Sequence, residues 1–152
     1  REVARRYAIV RDGFAARGKA FTSQPLRRNI QVGDTREEAM VEYARVAQGR
    51  YLTYLNKGLD VMANTDLENE FAKAVSSHAV IGTDDQVAAE LCDLVQTLPV
   101  DPILLRPTWP TMSSDEMIAA LDRLGRTVVP ALRAITPRTD IDEALLAPQE
   151  DQ

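Results

Sequence analysis

Arg106 and Trp109 stand three residues apart in the run Pro102-Ile-Leu-Leu-Arg-Pro-Thr-Trp, which Pro110 follows. The guanidinium of Arg106 is a planar donor fork suited to an anionic substrate or cofactor group, and the same residue at a strand end also suits an ion pair with a neighbouring helix. Trp109 offers a flat apolar face that can wall a ligand pocket or plug the mouth of a barrel. Gly82 and Thr83 form a second candidate, a strand-to-helix turn that serves as an N-cap or as a cradle for a cofactor phosphate. Asp84 and Asp85 already place two carboxylates at that helix start, which disfavours a bound phosphate.

The remaining reactive side chains carry less. His78 is the single histidine and could act as a general base, but no nucleophile or orienting carboxylate stands at a recognisable spacing, so a structural role is expected. Cys92 flanks an apolar helical face and reads as a small buried hydrophobe. Tyr43, Tyr51 and Tyr54 recur at helical spacing, which suits packing better than chemistry. No catalytic residue is assigned.

Composition excludes several classes. With 23 acidic against 18 basic residues, a net charge of -5, the chain lacks the excess of Lys and Arg that phosphate neutralisation requires, and no nucleic-acid partner is expected. One cysteine excludes an internal disulfide, and one cysteine with one histidine cannot build a zinc site of the usual ligands, so a reducing, cytoplasmic setting is the default. No apolar run reaches the roughly 18 residues of a membrane span. At 152 residues and 45% hydrophobic content, one globular domain with its own core is expected.

The elements that position the candidates follow from periodicity and caps. Val3, Tyr7, Val10 and Phe14 share one helical face ending near Gly18. Leu26 to Val32 reads as a strand, and Thr35 with Glu38 forms a capping box for a helix bearing Met40, Tyr43, Ala44, Ala47, Tyr51 and Leu55. Thr65 with Glu68 caps a shorter helix carrying Leu67, Phe71, Ala72 and Val75. Ala79-Val80-Ile81 is a second strand, followed at Thr83 and Gln86 by a capped helix with Val87, Leu91, Leu94, Val95 and Leu98 inward. The third strand begins at Pro102. Ser113 and Glu116 then cap a last helix whose face, Met117, Leu121, Leu124, Val128, Leu132 and Ile135, implies one element kinked at Pro130. Three strand-then-helix units predict parallel pairing through right-handed crossovers. The segment 136–152 is acidic and weakly periodic, and reads as a loosely ordered tail.

Three stretches together carry a family resemblance. Ala79-Val-Ile-Gly-Thr-Asp-Asp-Gln-Val-Ala-Ala-Glu-Leu, Pro102-Ile-Leu-Leu-Arg-Pro-Thr-Trp-Pro-Thr-Met and Leu124-Gly-Arg-Thr-Val-Val-Pro-Ala-Leu-Arg133 resemble the C-terminal end of the luciferase-like monooxygenase family, and Arg28-Asn-Ile-Gln-Val-Gly-Asp-Thr-Arg-Glu-Glu-Ala39 resembles its sixth strand and following helix. The resemblance runs from about Arg1 to Arg133. It departs at Asp84, where many relatives have Pro, and at Thr111, where many have Gly. It implies an α/β fold, the C-terminal part of a TIM (β/α) barrel with about three parallel strands and a majority of helix, in residues 1–135. It also implies reduced FMN or a deazaflavin coenzyme in the full-length parent, with Gly82 and Thr83 toward the cofactor and Arg106 and Trp109 toward a small-molecule substrate. Three strands cannot close a barrel of eight, so the piece is not expected to be catalytic alone, and a homodimer or the missing N-terminal half-barrel is the expected partner. The alternative is a non-enzymatic, mainly helical protein-interaction module.

Overall fold

The structure, a computed structural model, describes residues 2–56 and 79–147, with only the backbone described for 48–56. The Thr65–Glu68 box, the short helix after it and His78 lie outside the described residues, as do the side chains of Tyr51 and Tyr54. The elements in order are α1 (Glu2–Ala15), β1 (Gln24–Val32), α2 (Arg36–Asn56), β2 (Ala79–Gly82), α3 (Asp84–Thr97), β3 (Val100–Arg106), α4 (Ser114–Arg126) and α5 (Val128–Arg133), with a final 3-10 turn at Glu143–Leu145. Of the four expected capping boxes, the three within the described residues all form. Thr35 and Glu38 exchange side-chain and backbone hydrogen bonds, and Thr83 with Gln86 and Ser113 with Glu116 do the same.

The strands make one parallel sheet in the order β2-β1-β3. This order differs from the wall of consecutive strands that a barrel implies, in which β2 would lie between the other two. The chain steps from β1 to one side, then crosses back over β1 to reach the other. Right-handed crossovers in opposite directions put their helices on opposite faces. Accordingly α2 packs with Ala79 and Ile81 on one face, through Ala39, Tyr43, Val46 and Ala47. On the other, Ile30 and Val80 meet Val87 and Leu91 of α3, Leu124 of α4 and Val128 of α5. The described residues thus form an open α/β sheet covered on both sides.

Where the β1–β3 ladder shifts register between Gln24 and Leu26, Pro25 faces Asp101 and Pro102, so both strands lack a donor at the irregularity. Pro102 is tolerated because β3 is an edge strand, and Pro25 because β2 pairs with β1 only from Asn29 onward. Pro130 also shapes the fold, since it has no N–H for the Arg126 carbonyl four residues back, and the predicted single helix divides at Thr127. Beyond the break the helical phase changes. Leu124 is buried as expected, whereas Leu121 is 55% exposed.

The helix α1 buries Ala4, Tyr7 and Ala8, a face rotated from the expected Val3, Tyr7, Val10 and Phe14, and leaves Phe14 partly exposed. It meets the segment after Thr136. There Ile141 joins the cluster of Ala4, Tyr7, Leu98 and Val100, the Arg138 amide donates to the Val95 carbonyl at 3.0 Å, and Asp142 caps the 3-10 turn. Up to residue 147 this segment contacts the body through Ile141 and the Arg138 amide.

Candidate functional site at the carboxyl end of the sheet

In an open sheet the carboxyl ends of two strands whose connections leave in opposite directions enclose a crevice, the usual ligand position in α/β proteins. Here that point lies between β1 and β3. Register pairs Asn29 with Arg106 and, on the other side, with Ala79. Alternation along β1 then puts Asn29, Gln31 and Arg106 on the face that α2 covers.

Asn29 and Arg106, with two aromatics, form a connected corner. Asn29 donates from Nδ2 to the Tyr43 hydroxyl at 3.3 Å. The Tyr43 and Trp109 rings meet edge to face, with centroids 5.4 Å apart. Arg106 lies over the indole, its Cζ 4.4 Å from the ring centroid. The Arg106 Nε donates to the Thr108 carbonyl at 3.4 Å, and among the described residues no carboxylate pairs with the guanidinium. Trp109 is placed by its loop: the Trp109 and Met112 backbones and the Met112 sulfur close a short turn, and Thr111 donates from its hydroxyl to the Val46 carbonyl of α2 at 3.0 Å.

Trp109 is 2% exposed, so its ring fills the space between α2 and the sheet in this arrangement. Yet among the described residues its indole Nε1 has no hydrogen-bond partner, nor do Asn29 Oδ1 and Gln31 Oε1, and all three atoms are buried. Each orphan of this kind costs on the order of 1–3 kcal/mol, so one donor and two acceptors left unpaired on neighbouring residues mark a place where the fold gives up stability. A cavity of about 30 Å³ opens beside Gln31, lined also by Ile30, Val32, Pro107 and Arg123. It has room for water-sized groups and not for a ring.

Gly82 and Thr83 present a different picture. The Thr83 hydroxyl accepts from the Gln86 amide, and the Thr83 amide donates to the Gln86 side chain. A Cβ on Gly82 would stand 2.6 Å from Gln86 Oε1, so the glycine is explained by this contact. The Asp84 carboxylate takes two contacts of 3.1 Å and one of 2.7 Å from Arg123, and a 2.7 Å hydrogen bond from the Thr127 hydroxyl. The same arginine donates to the Gly33 carbonyl at 3.0 Å and pairs with Asp34. These groups satisfy one another at the helix start, and the turn offers an anion little that is not already engaged.

The two candidate pairs therefore differ in role: Arg106 and Trp109 are in contact, whereas Gly82 and Thr83 are held by Gly33 and Gln86 beside the Asp84–Arg123 pair. Cys92 is a free, partly buried thiol. Sequence reasoning missed Asn29 and Gln31. Their signal was present, since two carboxamides alternating in the middle strand of a parallel sheet interrupt what is normally an apolar run. It also missed Arg123, whose partners are distant in sequence. Among the described residues no cluster of His, Cys, Asp and Glu could hold a metal ion, and no helix is long and apolar enough to cross a membrane. No family model matches the chain, and no curated protein matches it.

Proposed function

We propose that this chain is the C-terminal part of a flavin- or deazaflavin-dependent oxidoreductase of the luciferase-like monooxygenase kind, contributing one wall of a site for a planar cofactor and a small-molecule substrate. The observation that carries the reading is the contact of Arg106 with Trp109 at the carboxyl end of β3, beside the unpaired carboxamide oxygens of Asn29 and Gln31. A cation, an aromatic face and hydrogen-bonding groups together suit a flat, polar-edged, partly anionic ring. When bound, the reduced cofactor supplies the electrons; the groups of this chain hold the ring and exclude water. Its phosphate is not assigned to Gly82 and Thr83, whose polar groups are already engaged.

The barrel is part of the proposal. In a closed barrel β2 would separate β1 from β3, and a strand from the missing half would occupy the β1 edge on which β3 now lies. Unpaired edges are unfavourable, and a three-stranded piece satisfies its longest strand by placing it in the centre. The proposed partner is the missing half-barrel or a second copy, in a reducing cytoplasmic setting. Trp109 is the only tryptophan, so its fluorescence reports on this corner directly. Titration of the chain with FMN and a deazaflavin coenzyme, each oxidised and reduced, should give saturable quenching; no binding of any form would remove the basis of the reading.

A second reading, a non-enzymatic interaction module, is favoured by Leu104, Ile118 and Leu121, which are 51%, 64% and 55% exposed. It expects no cofactor quenching.

A further inference from the structure

We infer that Arg27, Leu104 and Arg106 form a shelf on the open sheet face that holds the phosphate group of a small phosphate monoester. The inference goes beyond the cofactor reading and stands without it. Between Leu26 and Asn29 the β1–β3 register is regular, with Arg27 beside Leu104 and Asn29 beside Arg106. Register partners share a sheet face, and alternation returns to that face at every second residue. Arg27, Leu104 and Arg106 therefore project on one side, and Arg28 turns to the other. Strand spacing and rise put the Arg27 and Arg106 Cα atoms about 8 Å apart, close enough for two long side chains to close on one group.

The two arginines lack the counter-charge that the chain supplies elsewhere. Acidic residues outnumber basic ones, 23 against 18, and six described arginines have a carboxylate partner. Among the described residues no carboxylate pairs with Arg27, and Arg106 has only the contact of its Nε with the Thr108 carbonyl and its place over the Trp109 ring. The Arg106 guanidinium is thus held in position while its terminal nitrogens keep their donors unshared. One donor fork already matches a carboxylate, with its two oxygens and single charge; two forks match the three oxygens and double charge of a phosphate monoester. Leu104, 51% exposed beside Arg27, offers an apolar surface to the body of the ester.

The test titrates the chain with phenyl phosphate, and with benzyl alcohol as an uncharged counterpart, by calorimetry and Trp109 fluorescence at constant ionic strength. Phenyl phosphate is expected to bind saturably and benzyl alcohol not to bind. Arg27→Gln should weaken phenyl phosphate about tenfold or more, the worth of a hydrogen bond between charged groups. Arg27 is exposed, so this variant should keep the fold and the emission of the ligand-free chain. Arg133→Gln removes the same charge from α5, which packs on the opposite face, and should leave binding unchanged. No binding of phenyl phosphate, binding that Arg27→Gln leaves intact, or equal weakening by both variants would overturn the shelf. FMN against riboflavin then identifies the source of the phosphate. Tighter binding of FMN that disappears in Arg27→Gln assigns the shelf to the cofactor, and equal behaviour of the two assigns it to another ligand. Phenyl phosphate carries no flavin, so the shelf and the cofactor reading can fail separately.

Discussion

The guanidinium carbon of Arg106 stands 4.4 Å from the centroid of the Trp109 ring, and the same indole meets Tyr43 at a near-perpendicular 87°. The indole is therefore held on its face by a cation and on another side by an aromatic edge, two contacts that both use the negative face and positive rim of an aromatic ring.

Replacing Arg106 with Ala should cost about 1 kcal/mol in stability, the usual worth of a partly desolvated cation–π contact, and shift the Trp109 emission to longer wavelength as water reaches the ring. Arg106→Lys keeps the charge without the plane and should fall between. Urea unfolding followed by fluorescence measures both effects; an unchanged emission maximum in Arg106→Ala would show that the contact does not shield the indole.

The large apolar body of Trp109 and its unpaired N–H have separable effects. Trp109→Ala leaves a cavity among Tyr43, Ile81 and Met112 and should cost about 3–5 kcal/mol, whereas Trp109→Phe retains most of the ring and removes the orphaned donor, for about 1–2 kcal/mol. Thermal unfolding by circular dichroism distinguishes them. Similar losses for the two variants would mean that the indole N–H finds a partner in solution.

Asp84 sets an acid-sensitive limb. The hydrogen bonds from Arg123 hold its carboxyl below the ordinary 3.8, outweighing partial burial, and Thr127 adds to the effect. A lowered folded-state value means stability that is fully present above 3.8 and lost as pH falls through the folded value. Asp84→Asn should be less stable than the parent at neutral pH and lose less on acidification. Denaturant midpoints between neutral pH and strong acid provide the check, and parallel curves would refute the assignment.

Gly33 tolerates no side chain. A Cβ there would stand 2.8 Å from the Ala39 amide nitrogen and 2.9 Å from the Thr35 carbonyl oxygen, both backbone atoms that cannot rotate away. Gly33→Ala should cost about 1–3 kcal/mol by overpacking, visible as a lowered unfolding midpoint.

The phase of α4 is testable with two leucines. Leu124 is 5% exposed and Leu121 is 55% exposed. Leu124→Ala should cost about 2–5 kcal/mol, and Leu121→Ser should stay within about 0.5 kcal/mol. A large loss at Leu121 would indicate that another surface covers it in solution.

Local chemistry was legible wherever its cause is local. The three capping boxes read correctly because each is a contact between residues three apart, and the β3 strand end was marked by Pro107. Within α4 Leu124 turns inward and Leu121 outward, a choice set by which side of the helix meets the sheet, and the break at Thr127 divides the single helix that the apolar spacing implies. The docking of Ile141 was hidden because its partners, Ala4 and Tyr7, are at the far end of the chain. Strand order was equally hidden, since it depends on which edge of β1 each later strand meets. At the candidate site the Arg106 and Trp109 pairing lies within one loop, whereas Asn29 and Tyr43 belong to other elements and join it only through the fold.

The central place of β1 also has a bearing on synthesis. This strand leaves the ribosome before both of its neighbours, and its pairings with Ala79 and beyond on one side and Val100 to Arg106 on the other close only when those segments emerge. Until then a nine-residue strand with two open edges must be kept from pairing elsewhere, which makes the interval between translation of β1 and of β3 the period of greatest exposure to aggregation and to chaperones.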